Sequence, residues 1–298
     1  MNKILVIMGP TASGKSALAL KAAEMLNGEI VSADSMQLYR SLEIGTAQPS
    51  AEERALVPHH LVGIWDIHER ADVFTFQAMA DEAIKDIQSR GKLPVVAGGT
   101  GLYLKNLLYG LDDMPGDRDL RKELDEQYDA PEKEELLQRR MAELDPDALE
   151  KFKLCRRRLI RALEVRLITG KSILELQQNS EKKLRYPELT AIKLEVTPDT
   201  LAEKIAKRAK IMLENGWIEE AEKAIANGLL STPTAHQALG YKIINSYLNG
   251  EFDRNALFEK ICAATRQYAR RQRTWFRHQH PEALPLSVSE ADDLLKTL

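Results

Sequence analysis

The chain has 298 residues, 44% of them apolar and 29% charged, with a formal net charge of −3. That length accommodates one large domain or two small ones, and the composition excludes disorder as the ground state. The charge balance excludes a globally basic nucleic-acid binder but leaves room for a local basic stripe, so charge is read segment by segment.

The first predicted element is a strand at "KILVIM" (3–8), followed by "GPTASGKS" (9–16) and an Ala/Leu-rich helix from Ser16 to Leu26. This is the setting of a phosphate-binding loop, and all eight of its residues are candidate diphosphate contacts: Gly9, Pro10, Thr11, Ala12, Ser13, Gly14, Lys15 and Ser16. Gly9 and Gly14 let the backbone fold so that successive N–H groups face one concavity. Lys15 reaches over the phosphates, and the Ser16 hydroxyl is placed for Mg²⁺. The loop specifies phosphate without saying whose.

A second strand, "EIVSAD" (29–34), ends in Asp34. Strand carboxyl ends line the ligand crevice of a doubly wound sheet, so Asp34 is a general base, an Mg²⁺ ligand or a cap of the following turn. "HLVGIWDI" (60–67) is the third predicted strand. His59 and His60 in "PHHL" are adjacent on a strand and point to opposite faces, so they read as structural rather than metal-binding. A helix over Thr75–Arg90 leads to "LPVVAGG" (93–99), which closes on two glycines with Thr100 at the same rim. An ordinary P-loop hydrolase carries an acid at the end of such a run, and its lack here counts against ATP hydrolysis. Strands alternating with helices predict an α/β fold: a P-loop core with a mainly parallel sheet flanked by helices.

The alternation stops at Leu111. The charged, strand-free stretch that follows reads as a small all-α insertion, 112–185, its end placed anywhere from 150 to 185, between core segments 1–111 and 186–298. The second core segment opens with a strand at "TAIKLEV" (190–196) and is otherwise helical, over Asp199–Asn215, Glu219–Ala226, Thr234–Leu248 and Asp253–His278. The acids of "DPD" and "TPD" suit helix starts. Two basic clusters break the acidic average. "CRRRLIRALEVR" holds Arg156, Arg157, Arg158, Arg161 and Arg166; "TRQYARRQRTWFR" holds Arg266, Arg270, Arg271, Arg273 and Arg277 with no acid. On a helix, Arg266, Arg270, Arg273 and Arg277 share a face, while Tyr268 and Trp275 turn away and read as core. A solvated face usually mixes signs, so this stripe points to phosphate or nucleic acid. Cys155 and Cys262 lie outside any C-x-x-C pattern and offer no zinc site. With lone thiols, no leader pattern and no apolar run long enough to cross a bilayer, a cytoplasmic protein is expected.

Taken in order, "GPTASGKS", "SADSMQLYRSLEIGTAQP", "PHHL", "AGGTGLYLKNLLYGL", "RRLIRALEV", "PTAHQALGYK" and "ATRQYARRQRTWFR" resemble the tRNA dimethylallyltransferases over nearly the whole chain. The likeness is to the compact bacterial type, without the zinc-finger extension of eukaryotic members. It implies transfer of a dimethylallyl group from dimethylallyl diphosphate to N6 of the adenosine immediately 3′ to the anticodon, with diphosphate leaving. Asp34 takes the proton from N6, and Arg208, in "EKIAKRAKIML", lies on the diphosphate with Lys15 and Mg²⁺. Thr11 and Thr100 are substrate contacts near the reacting centre. The anticodon stem-loop of tRNA is met by Asp34, Ser35, Met36 and Gln37, by Arg157, Arg158, Leu159, Ile160 and Arg161, and by Arg266, Gln267, Arg270 and Arg273. A monomer is expected. Residues 45–48 read "GTAQ" where many members have "GTAK". Two other readings share the loop: a small-molecule phosphotransferase that turns over ATP, and an RNA-binding P-loop protein that modifies nothing.

Overall fold

The computed structural model describes residues 3–110, 114–178 and 183–298. Six strands, β1 (Lys3–Met8), β2 (Gly28–Ser32), β3 (His59–His60), β4 (Leu93–Gly98), β5 (Glu188–Leu194) and β6 (Leu284–Leu286), form one sheet in the order β3-β2-β4-β1-β5-β6. All five pairings are parallel, with Met8 opposite both Gly98 and Lys193 and Ser32 opposite Ala97. The strands therefore finish on one edge, and the "GPTASGKS", "SADS" and "GGT" turns are gathered there. Gly98 is required by this convergence: a Cβ at that position would collide with the Ala33 carbonyl.

The helices are α1 (Lys15–Met25), α2 (Glu43–Thr46), α3 (Ala51–Leu56), α4 (Val73–Ser89), α5 (Gly101–Tyr109), α6 (Arg118–Tyr128), α7 (Glu134–Leu144), α8 (Pro146–Phe152), α9 (Arg156–Thr169), α10 (Ile173–Gln178), α11 (Pro198–Glu214), α12 (Trp217–Ala226), α13 (Tyr241–Leu248), α14 (Arg254–Gln279) and α15 (Val288–Leu295). The chain divides into two compact units at Leu108/Tyr109 and Lys183/Leu184. The junction at 111/112 drawn from the sequence lies outside the described residues.

In the sheet-bearing unit, Leu18, Ala19, Ala22 and Ala23 of α1 pack with Leu5, Ile7, Ile30, Val95 and Ile192 of the strands and Leu295 of α15. A second core joins Tyr39 and Leu42 to α11–α14 through Ile205, Leu213, Trp217, Tyr241 and Ile261. The all-helical unit has its own core, which includes Leu124, Tyr128, Leu137, Met141, Leu159, Ile160 and Leu163. Asp145 caps α8 and Thr197 caps α11, each by accepting a backbone N–H.

Three local readings change. Of the third predicted strand (60–67), His60 pairs in β3 together with His59, and Trp65 makes an isolated bridge to Tyr39, because Leu61 (φ 60°) and Gly63 (φ 61°) leave extended geometry at once. The helix read over Thr234–Leu248 is a single 3-10 turn, Ala235–Gln237, then α13, with Gly240 at φ 98° between them. β6 and α15 went unseen; β6 has three residues, one of them Pro285, too short for periodicity. Among the described residues no helix is long and apolar enough to cross a membrane.

Candidate active site

The phosphate loop is built from two left-handed residues, Ala12 (φ 62°) and Gly14 (φ 100°). They turn the chain from β1 into α1 and leave the first N–H groups of that helix facing the crevice. α1 has no side-chain cap and no acid in its first turn, so nothing neutralises the positive end of its dipole. Among the described residues, Lys15 Nζ makes one hydrogen bond, to Pro10 O at 3.3 Å. From the far end of the sequence, Gln272 on α14 braces the loop. Its Oε1 accepts Thr11 N–H at 2.8 Å, and its Nε2 donates to Gly99 O at 2.8 Å.

Beside the loop opens a cleft of about 900 Å³ whose lining includes Thr11, Lys15, Ser16, Asp34, Arg208 and Tyr268. Asp34 Oδ1 accepts the Met36 N–H at 3.0 Å, fixing the turn that carries it. Arg208, on α11, makes no hydrogen bond or ion pair with any described residue. Burial lowers its affinity for a proton, and only the nearby Asp34 opposes this. Lys15 is pushed down to about 8 by burial; Asp34 resists the shift and Arg208 adds to it. Two partly buried cations beside one carboxylate give this part of the cleft a net positive charge that suits an anion.

The model of the family described as IPP transferase matches residues 37–279, and that described as isopentenyl transferase matches 2–58. A tRNA dimethylallyltransferase of Acetivibrio thermocellus is 43% identical over 281 residues, spanning 93% of this chain and 89% of the relative. One from Geobacter metallireducens is 41% identical over 299 residues, spanning 100% and 96%. The chain belongs to the IPP transferase family. Among solved structures, the tRNA isopentenylpyrophosphate transferase of Bacillus halodurans superposes with a TM-score of 0.72 at 34% identity, covering 100% of this chain and 95% of that one. A eukaryotic dimethylallyltransferase, solved acting on tRNA, gives 0.80 at 28% identity, covering 98% and 74%.

Within this family fold, the residues expected from sequence are not all where contact requires them. Thr11, Lys15, Ser16, Asp34, Ser35, Met36, Gln37 and Arg208 line the cleft. Gly9, Ala12, Ser13 and Gly14 shape the loop without lining the cleft, and Pro10 lines a separate hollow of about 340 Å³. Ser13 is fully buried with its Oγ unpartnered among the described residues. Thr100 does not line the cleft. Its Oγ1 accepts Ser35 N–H at 2.9 Å and donates to Ser35 Oγ at 3.3 Å, so it shapes the turn after Asp34 from behind. The Gln37 amide is engaged internally, accepting from Ser32 and donating to Thr46 O and Ala47 O.

The first basic cluster needs correction. Arg157 and Arg158 are exposed on α9, but Leu159 and Ile160 are fully buried in the helical unit's core and present no side chain to RNA. Arg161 binds Glu164 at 2.7 Å and Met114 O at 3.0 Å, an internal tie rather than a free cation. In the second cluster Arg266, Gln267 and Arg270 are exposed, and Arg273 is half-buried in the smaller hollow with Lys193 and Arg277. Tyr268, read as core, lines the cleft instead, while Trp275 packs closely beneath Gly101.

Sequence reasoning missed Thr265 and Gln272, which share the cleft face of α14 with Tyr268 at helical spacing (265, 268, 272). It also missed the 45–49 wall of the cleft. The helical spacing along α14 held that signal, but the arginines on the adjoining face form the more conspicuous pattern. His60 Nε2 meets the buried Glu29 carboxylate at 2.8 Å, which gives that histidine a structural partner.

For Mg²⁺, the fit is read from the donors. Ser16 is at the cleft with its hydroxyl unengaged, and no three His, Cys, Asp or Glu residues gather as a metal cage among the described residues. Such a set suits a hard cation that brings phosphate and water oxygens with it, as Mg²⁺ does.

Proposed function

We propose that the chain transfers a dimethylallyl group from dimethylallyl diphosphate to N6 of the adenosine immediately 3′ to the anticodon of tRNA, releasing diphosphate. The observation that carries this reading is the meeting of two partly buried cations, Lys15 and Arg208, with Asp34 in one cleft beside the phosphate loop. The names of the relatives support the substrate pair.

Adenine N6 is a weak nucleophile because its lone pair is delocalised into the ring. As N6 bonds to the allylic carbon, the carbon–oxygen bond breaks and its electrons leave with diphosphate. The N6 proton passes to Asp34. Lys15, Arg208 and the amides at the start of α1 receive the growing negative charge. Ser16 would hold Mg²⁺ at the cleft, and the ion would offset the negative charge that develops on the leaving group. Met36, Ile205, Ala209, Met212, Trp217 and Leu239 give the cleft apolar surface for the five-carbon chain and the base. To enter, the base is drawn out of the anticodon stem-loop. Arg157, Arg158, Arg266, Gln267, Arg270 and Arg273 take its backbone phosphates. The enzyme works as a monomer in the cytoplasm. ATP competes weakly for the loop but is not turned over, since β4 ends in Gly98 with no acid to place a water.

Incubation with an anticodon stem-loop RNA, Mg²⁺ and radiolabelled dimethylallyl diphosphate tests this reading. The label should enter one adenosine. ATP turnover linked to phosphorylation of a small acceptor, or RNA binding without label transfer, would overturn it.

A further inference from the structure

α2 is a four-residue helix that forms one wall of the cleft, and its own N-cap residue, Leu42, offers no side-chain bond. So short a helix does not hold itself together in water. The cap comes instead from Glu220 on α12, 176 residues away in sequence. Glu220 Oε2 accepts Ile44 N–H at 2.7 Å, and Oε1 accepts Gly45 N–H at 2.9 Å and the Tyr241 hydroxyl at 2.7 Å. A carboxylate accepting two amides at a helix start is well matched in charge and geometry.

The approach is close enough to dictate residue type. A Cβ on Gly45 would overlap Trp217 and the Tyr241 hydroxyl, and one on Gly240 would overlap the other edge of the same indole. Trp217 thus lies between two glycines, and the 43–47 backbone rests directly on α12 and α13.

The carbonyl side of the same wall is also tied. Gln37 Nε2 donates to Thr46 O at 3.2 Å and Ala47 O at 2.9 Å, and Gln37 belongs to the turn whose Met36 N–H holds Asp34 Oδ1. A continuous path of hydrogen bonds and short backbone therefore runs from Glu220 through the 44–47 wall and Gln37 to the Asp34 carboxylate.

We propose that Glu220 is a positioning residue for the transfer: it latches the 43–47 wall so that the incoming base meets Asp34 in one register. This rests on the functional reading above. Glu220 lies outside the phosphate loop and touches neither Lys15 nor Arg208, so its loss should separate the two substrates.

Glu220→Ala should lower kcat/KM for RNA by about 10- to 100-fold, the scale of an ångström-sized misplacement. Diphosphate affinity, read as thermal protection by dimethylallyl diphosphate with Mg²⁺, should hold. Glu220→Gln, which keeps the shape but sets an amide group against one N–H, should fall between. Tyr241→Phe, which spares both amide bonds, should lose least. If the alanine variant does not fold, the glutamine variant carries the comparison. Unchanged kcat/KM for RNA overturns the proposal, as does an equal fall in diphosphate affinity. Hydrogen exchange at Ile44 and Gly45 reads the latch without activity: both amides should be protected in the native chain and lose protection in Glu220→Ala. A native chain that transfers no prenyl group would overturn the functional reading instead, and unprotected amides at 44 and 45 would overturn the latch alone.

Discussion

Lys15 carries its charge in a place where water cannot fully support it, and that sets a pH dependence. In the folded chain it titrates near 8, against 10.5 when unperturbed. Below 8 both states hold the proton and the fold bears the cost of the buried charge. Between 8 and 10.5 the folded chain releases the proton while the unfolded chain keeps it, so stability rises with pH across that window. Diphosphate needs the charged form, so its affinity should fall as pH climbs through 8. Lys15→Arg, which stays charged, should flatten the titration, and Lys15→Ala should remove most of the thermal protection given by the ligand. A diphosphate titration from about pH 7 to 10 checks both; a flat native profile would sink the argument. Asp34 is the second residue-scale test. Asp34→Ala should cut prenyl transfer by about 10²–10⁴ while diphosphate binding stays within a few-fold. Collapse of Mg²⁺-dependent diphosphate binding in that variant would make Asp34 a metal ligand instead of the base.

At the scale of elements, α14 does two jobs on adjoining faces. One face carries Gln272, 6% exposed, bonded to both Thr11 N–H and Gly99 O. Gln272→Leu leaves both backbone groups without a partner, and should cost about 1–3 kcal/mol of stability together with diphosphate affinity. Thermal melts with and without ligand measure the two, and a variant matching the native chain in both would show that the loop stands unaided. The other face carries the exposed Arg266 and Arg270 and the half-buried Arg273. Charge reversal at Arg270 and Arg273 should weaken RNA binding and shallow its salt dependence, by roughly 0.7–0.9 in the log–log slope for each phosphate no longer neutralised. Unaltered affinity across a salt series would make these arginines a solvated face.

Across the whole molecule, each unit keeps its own core and its own buried charge. In the sheet-bearing unit Glu29, 1% exposed, is held well below the usual carboxylate range, chiefly by Arg90, with Lys92 and His60 also bonded to it. In the helical unit Glu164, 2% exposed, gathers Arg121, Arg161 and the Asp117 N–H. Removing Glu164 leaves Arg121 and Arg161, both partly exposed and the latter still bonded to Met114 O, without their carboxylate. Glu164→Ala should therefore cost about 1–3 kcal/mol, felt within residues 109–183. Hydrogen exchange should show faster opening of α6 and α9 with protection of β1 and β4 unchanged; uniform loss across both units would contradict this assignment.

What the sequence determined by itself was local. "GPTASGKS" between an apolar run and a helix specifies the phosphate loop through glycine positions and N–H geometry that need no distant partner. The four longer strands of the parallel sheet and the longer helices were legible for the same reason, since their periodicity lies within a dozen residues. Asp34 was legible because strand ends line the crevice of such a sheet. The tertiary structure alone decided which face of a helix meets which neighbour. It turned Tyr268 toward the cleft, buried Leu159 and Ile160, and tied Arg161 to Glu164. It set Gln272 on Thr11 across 261 residues and Glu220 on Ile44 across 176. A polar side chain on a helix has the same local pattern whether it faces water or a backbone amide brought to it by folding, so the distinction exists only once the core has formed.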